Sequence, residues 1–180
     1  MIRAVYSDPH FGHANIIKYE DRPFDSAHEM NETLIEKYNQ LIDPEDTVLW
    51  LGDCFLMPVD EAKVIMQRLH GEKILIPGNH DRSPSAMAAI GFRMVIPEAR
   101  MVLNGRRCLF HHYPYPSHPD AHHGDKYAHL KPARVDGQIL IHGHTHGKLK
   151  RHFNMIHVGV DAWDYYPVTL GTLEAMMLPN

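Results

Sequence analysis

In the stretch Ile2-Arg3-Ala4-Val5-Tyr6-Ser7-Asp8-Pro9-His10, the apolar run Ile2–Ser7 predicts the first strand and leads directly into residues that can bind a metal. The same pattern returns along the chain. Four further apolar runs each end at a polar motif. They are Thr47–Leu51 before Gly52-Asp53, Lys73–Pro77 before Gly78-Asn79-His80-Asp81, Arg107–Phe110 before His111-His112, and Gln138–Ile141 before Gly143-His144-Thr145-His146. Near-continuous apolar runs of this length predict buried strands.

Helical patterns alternate with these strands in the first half of the chain. Ser26 and Glu29 form a capping-box pattern that opens one helix, and a second is predicted from Asp60 to Leu69. Ser83 and Pro84 open a third, which ends at Ile90. More strands are predicted at Phe92–Ile96, Ala99–Leu103, His152–Val160 and Val168–Met176, with a hairpin turn at Asn104-Gly105. This order predicts two facing sheets with helices outside.

Composition limits the classes to which the protein can belong. A chain of 180 residues suits one domain, spanning 1–180, and its net charge of -4 argues against a general nucleic-acid-binding surface. Cys54 and Cys108 lack a CxxC spacing, so neither a disulfide scaffold nor a thiolate metal site is expected. No apolar run approaches the ~20 residues of a membrane span, and we expect a cytoplasmic protein that does not engage membranes.

The sixteen histidines are a high number, and many of them fall at predicted strand ends. In open α/β sheets, ligand sites form outside the carboxyl ends of the strands, so these groups are expected along one edge. Imidazole mixed with carboxylate and amide oxygen suits Mn, Fe, Zn, Ni or Co. The groups are too many for one ion, and two ions ~3.5–4 Å apart would form a phosphoryl-transfer centre.

Five motifs resemble those of the calcineurin-like metallophosphoesterases and follow the same order. They are Asp8-x-His10, Gly52-Asp53, Gly78-Asn79-His80-Asp81, His112-Tyr113-Pro114 and Gly143-His144-Thr145-His146. The segments Ser7–His13 and Val158–Asp164 resemble the small bacterial and phage branch of that family. The likeness covers nearly the whole chain. It implies a four-layer α/β/β/α sandwich and a phosphoesterase with two divalent ions, manganese being the first expectation.

The resemblance also implies a role for each motif residue. The first ion would be held by Asp8, His10 and His146, the second by Asn79, His112 and His144, and both by Asp53. A hydroxide between the ions would attack phosphorus. His80 would protonate the leaving oxygen, with Asp81 holding its ring.

Some assignments stay open at this stage. His111 competes with His112 as the ligand after the fourth motif strand. The irregular stretch 113–132, with His118, His122, His123 and His129, either overhangs the site or carries surface histidines. Lys148, Lys150 and Arg151 either grip an anionic substrate or form a solvated turn.

The predicted function is hydrolysis of a phosphodiester or phosphomonoester. The first expectation is a small diester such as a cyclic nucleotide, and a nucleic-acid end is another candidate. The alternative is a non-catalytic metal-binding interaction module on the same fold, like the retromer subunit that resembles these enzymes. His80 argues against that alternative, because the acid histidine is missing there. The oligomeric state is not predicted.

Overall fold

A computed structural model describes residues 1–116 and 126–177. The described strands are β1 (Ile2–Tyr6), β2 (Thr47–Trp50), β3 (Glu72–Leu75), β4 (Met94–Val95), β5 (Ala99–Leu103), β6 (Arg106–Phe110), β7 (Gln138–His142), β8 (Arg151–His152), β9 (Met155–His157) and β10 (Val168–Thr169). The α-helices are α1 (Ala14–Tyr19), α2 (Ala27–Leu41), α3 (Val59–Arg68), α4 (Pro84–Ile90) and α5 (Leu170–Met176), and short 3-10 helices lie at Ala128–Leu130 and Val160–Ala162.

The strands form two mixed sheets. The first has the order β10-β1-β2-β3-β4, in which β1 to β4 run parallel and β10 is antiparallel. The second has the order β5-β6-β7-β9-β8, with β6, β7 and β9 parallel. The Asn104-Gly105 turn joins β5 to β6 as the sequence predicts. This architecture confirms two facing sheets flanked by helices.

Side-chain alternation along the strands of the first sheet divides the core in two. On β1, Ala4 and Tyr6 pack with the helices, whereas Val5 packs into the core that the sheets share. On β2, Trp50 belongs to the helical core and Leu49 to the shared one. Because both faces of these strands are buried, the strands read as continuous apolar runs in the sequence.

The predicted helices form close to their expected bounds. Ser26 Oγ accepts a hydrogen bond from the Glu29 amide at the start of α2, which confirms the N-cap. Met30, Leu34 and Tyr38 follow at helical spacing and are buried. Ser83 caps α4 in the same way, with Pro84 in the first turn and Gly91 after its end.

The prediction of a strand over Val168–Met176 is wrong. Only Val168–Thr169 pairs with β1, and α5 begins at Leu170. Thr169 Oγ1 accepts a hydrogen bond from the Thr172 amide and so caps the helix. Leu173 and Met177 are buried against the shared core at helical spacing. The apolar content of the segment therefore reflects a docked helix face.

Two smaller differences concern irregular segments. The predicted strand His152–Val160 is divided into β8 and β9 by a turn in which Phe153 adopts a φ of 51°. The sequence gives no local signal for helix α1, because its six residues lack a side-chain cap. Within the described ranges, no helix combines the length and apolarity that crossing a bilayer requires.

Candidate metal centre

The side chains that the motifs predict as ligands converge beyond the carboxyl ends of β1, β2, β3, β6 and β7. The chain turns sharply as it leaves these strands, and five of the predicted ligands have a positive φ: Asp8 (58°), His10 (53°), Asp53 (54°), His144 (71°) and His146 (53°). Such conformations cost about 1–3 kcal/mol each in non-glycine residues and persist where the surroundings hold them. These backbone conformations therefore lower the stability of the fold, and they direct the five side chains towards the same region.

The first cluster of the centre, called the Asp8 cluster, contains Asp8, His10 and His146. Their ligand atoms all lie within 4.8 Å of one another, and all three residues are buried. Both Asp8 carboxylate oxygens lie 3.0 Å from the His144 amide, which fixes the carboxylate at the end of β7. The cluster therefore joins groups from the two sheets.

The second cluster, called the Asp53 cluster, contains Asp53, His112 and His144, again with ligand atoms within 4.8 Å of one another. Asn79 joins it, since its Oδ1 lies 3.1 Å from His112 Nε2. The His112 Nδ1–H donates to the Leu51 carbonyl at 2.5 Å, so the Nε2 lone pair points into the cluster. His144 Nδ1 approaches that Nε2 to 3.2 Å.

Asp53 lies between the two clusters. Its Oδ2 is 3.6 Å from His10 Nε2 and 3.7 Å from His112 Nε2. One carboxylate oxygen thus faces an imidazole of each cluster. This arrangement fits the predicted bridging position of Asp53, and the seven predicted ligands form one continuous group.

Glycines that precede the ligands allow the ends of neighbouring strands to approach one another closely. A side chain at Gly143 would overlap Ser7 Oγ and the Asp8 carboxylate. Gly52 has a φ of 89°, and a side chain there would overlap the backbone of Gly78. Larger residues at these two positions would push the strand ends apart.

The electrostatics of the centre suit bound cations. Burial raises the pKa of the Asp53 carboxyl group, and the nearby Asp8 and Asp81 carboxylates raise it further. Burial also lowers the pKa of His10 and His112, which favours neutral imidazoles that can act as ligands. Neither ring nitrogen of His10 has a hydrogen-bond partner among the described residues. Buried carboxylates beside unpartnered imidazole nitrogens fit divalent metal ions.

A buried ion pair between Arg22 and Asp161 contacts the Asp8 cluster through His146. Asp161 accepts two hydrogen bonds from Arg22, at 2.8 and 2.9 Å, and its Oδ2 lies 2.9 Å from His146 Nδ1. Arg22 also donates to the carbonyls of Asp8 and Pro9. The Asp161 contact places a hydrogen on His146 Nδ1 and leaves Nε2 to face the cluster.

Sequence reasoning missed this ion pair as part of the site. Asp161 lies in the Val158–Asp164 segment that carries the family resemblance, so a signal was present. Arg22 lies outside every motif and resembles an ordinary surface arginine. The structure shows that neither residue is a surface residue, since the side chains of Arg22 and Asp161 are 0% exposed.

His80 and Asp81 occupy different places in the site. His80 is exposed at the rim, and its ring centroid lies 5.5 Å from that of His10. The Asp81 carboxylate accepts hydrogen bonds from the amides of Asp53, Cys54 and Gly78 at 2.8–2.9 Å. Asp81 thus fastens the turn that carries Asp53, and its action on the His80 ring stays a prediction.

His112, and not His111, joins the Asp53 cluster. The His111 Nδ1 instead accepts a hydrogen bond from the Tyr113 amide two residues further on. Lys148 donates to the Asp161 carbonyl, and Lys150 lies over the Trp163 ring at 4.1 Å. Arg151 donates to the carbonyls of Phe153 and Met176.

The stretch 113–132 is described only in part. His118, His122 and His123 lie outside the described residues. His129 lies in the 3-10 helix Ala128–Leu130 and is exposed. Tyr127 packs against the metal centre, with its ring centroid 5.4 Å from that of His144. One described end of the stretch therefore covers part of the Asp53 cluster.

The chain is similar to several known proteins over nearly its whole length. The chain is 32% identical to an uncharacterized protein of Methanocaldococcus jannaschii, covering 98% of this chain and 92% of that protein. It is also 32% identical to the Gene 66 protein of Mycobacterium phage L5, covering 87% and 85% of the two chains. A crystal structure of a protein of unknown function from Aquifex aeolicus superimposes with a TM-score of 0.74 at 25% identity, covering 97% of this chain and 98% of that one.

Residues 1–159 match the family model of the calcineurin-like phosphoesterase superfamily domain. This range contains all seven predicted ligands together with His80 and Asp81. The chain belongs to the calcineurin-like phosphoesterase superfamily.

Proposed function

We propose that the protein hydrolyses small phosphodiesters, such as cyclic nucleotides, with two divalent metal ions held by the Asp8 and Asp53 clusters. The observation that carries this proposal is the position of Asp53, whose Oδ2 faces His10 and His112 at 3.6 and 3.7 Å. A carboxylate shared by two clusters is the feature expected of a paired-ion phosphoryl-transfer site. Manganese is the first candidate, followed by Fe, Ni, Zn and Co.

In this proposal, Asp8, His10 and His146 hold one ion, Asn79, His112 and His144 hold the other, and Asp53 contacts both. When bound, the ions would supply positive charge to the phosphoryl oxygens and a nucleophile at neutral pH. The buried hydrogen bond from Arg22 to the Asp8 carbonyl and the partly buried one from the Asp53 amide to Asp81 would keep the ligand residues in place before substrate arrives.

The proposed proton donor is His80. Its exposed ring lies at the rim beside His10, with ring centroids 5.5 Å apart. A hydrogen bond from the His80 ring to the oxygen that leaves phosphorus would deliver the proton as the ester bond breaks. The His80 amide donates to Asp53 Oδ1 at 2.8 Å, which fixes the position of the residue relative to the proposed bridge.

Reconstitution tests this proposal directly. Metal-free protein is loaded with Mn, Co, Ni, Fe or Zn, and turnover of bis(4-nitrophenyl) phosphate is measured together with bound metal. We expect about two ions per chain and turnover with at least one metal. Metal binding without turnover under any of these conditions would instead support the non-catalytic module.

A His80→Ala variant separates the proton donor from the ligands. We expect a 100- to 10,000-fold loss of diester turnover, the range of general acid catalysis, with metal content unchanged. The loss should be smaller for an ester whose leaving group has a low pKa, since such a group leaves without a proton. Equal losses for all leaving groups would contradict the assigned role.

A further inference from the structure

A cavity of about 380 Å³ lies at the end of the second sheet that is away from the metal centre. Arg106 and Gln138, the first residues of β6 and β7, line this cavity, and so does Asn154, which precedes β9. His112 and His144 follow the opposite ends of β6 and β7. Strands of this length separate the two places by roughly 15 Å. The cavity is therefore distinct from the two metal clusters.

Three arginines give the cavity a positive charge. Arg106, Arg134 and Arg151 line it, all three are exposed, and its described lining contains no acidic residue. Within the described part of the chain, none of the three forms an ion pair with a carboxylate, although several other arginines do: Arg3, Arg22, Arg68, Arg93 and Arg100. Like charges around one cavity repel one another, and a bound anion would relieve that repulsion.

Two of the arginines are held in place by neutral groups. Arg134 donates to Asn154 Oδ1 at 2.8 Å, and the Asn154 amide group donates to the Gln138 carbonyl at 2.7 Å. Arg151 Nε donates to the Phe153 carbonyl at 3.3 Å. These contacts use only part of the five N–H donors of each guanidinium. The remaining donors are available to an oxyanion such as a phosphate group.

Gln138 adds a second requirement to the site. The residue is only 5% exposed, and its side-chain oxygen is buried without a hydrogen-bond partner among the described residues. A buried acceptor that lacks a donor is unfavourable, so such groups are normally paired. A ligand that fills this cavity would pair it by supplying an N–H or O–H group. The site therefore fits an anion that also carries hydrogen-bond donors.

Phe153 adds a third requirement. It lies in the turn between β8 and β9, lines the cavity and is 75% exposed. Its φ of 51° is unfavourable for a bulky side chain, and asparagine or glycine adopts such a conformation more readily. Neither burial nor the turn thus accounts for a phenylalanine at this position. An exposed ring beside a cavity is suited to pack against a planar group.

We infer that this cavity binds a nucleotide. The phosphate group would contact Arg106, Arg134 and Arg151, and the base would pack against Phe153. An amino or hydroxyl group of the nucleotide would donate to the Gln138 side-chain oxygen. The volume lies within the range of small-molecule pockets. The site does not depend on the proposed function, because its described lining contains neither a proposed metal ligand nor His80.

Binding is tested by calorimetric titration of the metal-loaded protein with the phosphonate analogue of AMP, in which a methylene group replaces the 5′ oxygen so that no ester can be hydrolysed. We expect a binding event that is weakened roughly fivefold or more in Arg106→Gln, because one charge-assisted contact to the phosphonate is lost. The Arg106 side chain forms no described ion pair whose loss would alter the fold.

Arg107→Gln is the matched control. Arg107 is also exposed and forms no described ion pair, but it points to the opposite face of β6 and lines a different cavity. The affinity should change by less than about twofold in this variant. Binding of the analogue at the metal centre would be the same in both variants. The absence of a binding event that depends on Arg106 more than on Arg107 would overturn the inference.

The contact with the base is tested with Phe153→Asn. We expect the affinity for the analogue to fall about threefold or more, because stacking on the ring is lost. The melting temperature should stay unchanged or rise, since asparagine adopts a positive φ more readily. Unchanged affinity, or a loss of affinity together with a lower melting temperature, would overturn the stacking role of Phe153. Inorganic phosphate that binds as tightly as the analogue would show a site for simple anions and overturn the nucleotide assignment.

A chemical measurement locates the bound nucleotide. Phenylglyoxal modifies arginines, and peptide mass mapping gives the rate at each position. We expect the analogue to slow modification of Arg134 and Arg151 about threefold or more, because bound oxyanions cover the guanidinium groups. Modification of Arg68 on α3, outside the cavity, should be unchanged. Equal rates at Arg134 and Arg151 with and without the analogue would overturn the assignment.

A free nucleotide and one unit of a single strand present the same groups to this cavity. A phosphorothioate hexamer of deoxyadenylate, titrated in the same way, distinguishes these two sources. Binding about tenfold tighter than that of the analogue, lost in Arg106→Gln, would support a strand whose further phosphates also contact the protein. Binding no tighter than that of the analogue would support a free nucleotide.

Discussion

The two metal clusters are built from similar side chains but are supported differently. In the Asp8 cluster, His146 is held by the Asp161 carboxylate, which is itself paired with Arg22. In the Asp53 cluster, His112 is held by the Leu51 carbonyl. The orientation of His146 thus depends on a buried ion pair, and that of His112 on the backbone where β2 leaves the sheet.

This difference has consequences for how each site tolerates change. A backbone carbonyl cannot be removed by substitution, so the orientation of His112 is insensitive to most mutations nearby. The orientation of His146 depends on two side chains from distant parts of the chain, Arg22 and Asp161. The orientation of His146 should therefore be easier to change without touching a ligand than the orientation of His112.

The largest effect is expected where the two clusters meet. Asp53→Asn removes the shared negative charge, and we expect turnover to fall about a thousandfold or more because several kcal/mol of charge stabilisation are lost. Both ions should bind more weakly, as measured by calorimetric titration and metal analysis. Weakening of only one ion would show that Asp53 belongs to a single cluster.

A smaller effect confined to one cluster is expected from Asp161→Asn. The amide keeps the size of the side chain but loses the charge that holds Arg22 and His146. We expect one metal affinity to fall roughly 10- to 100-fold, the usual result of removing a carboxylate that orients a histidine ligand. The affinity of the other site should stay within about threefold.

Asp164→Asn is the matched control, because Asp164 pairs with Lys37 on the surface and contacts no ligand. Equal weakening of both ions in Asp161→Asn would remove the proposed distinction between the clusters. A circular dichroism melting curve should accompany the titration, so that loss of the ion pair is not mistaken for unfolding.

The smallest effect is expected at His111. Its ring contacts the Tyr113 backbone and is absent from both clusters, so His111→Ala should change metal affinity less than about twofold. His112→Ala should weaken metal binding strongly. Strong weakening in both variants would place both histidines in the Asp53 cluster.

The convergence of the metal-competent side chains could be predicted because each follows a strand that can be recognised by its apolar run. The position of Asp8 after β1 and of His144 after β7 followed from the strand bounds and the rule that ligand sites form at carboxyl ends, whereas the role of each residue as a ligand came from the family resemblance. Local patterns also located α2 and α4, whose caps are encoded within a few residues.

The features that escaped prediction depend on distant contacts or on ambiguous short segments. Arg22 and Asp161 are separated by 139 positions, and only folding brings them together. Helix α1 has six residues and no side-chain cap, so nothing local distinguishes it from a loop. The apolar residues of helix α5 also fit a buried strand, so the sequence pattern alone predicts a strand there.

The Arg22–Asp161 pair also bears on how the protein folds. Its two residues are 139 positions apart, and each metal cluster likewise joins residues that precede α4 to a histidine that follows β7. Neither cluster can therefore form before these distant segments have docked, and metal bound at either site favours the folded chain over the unfolded one.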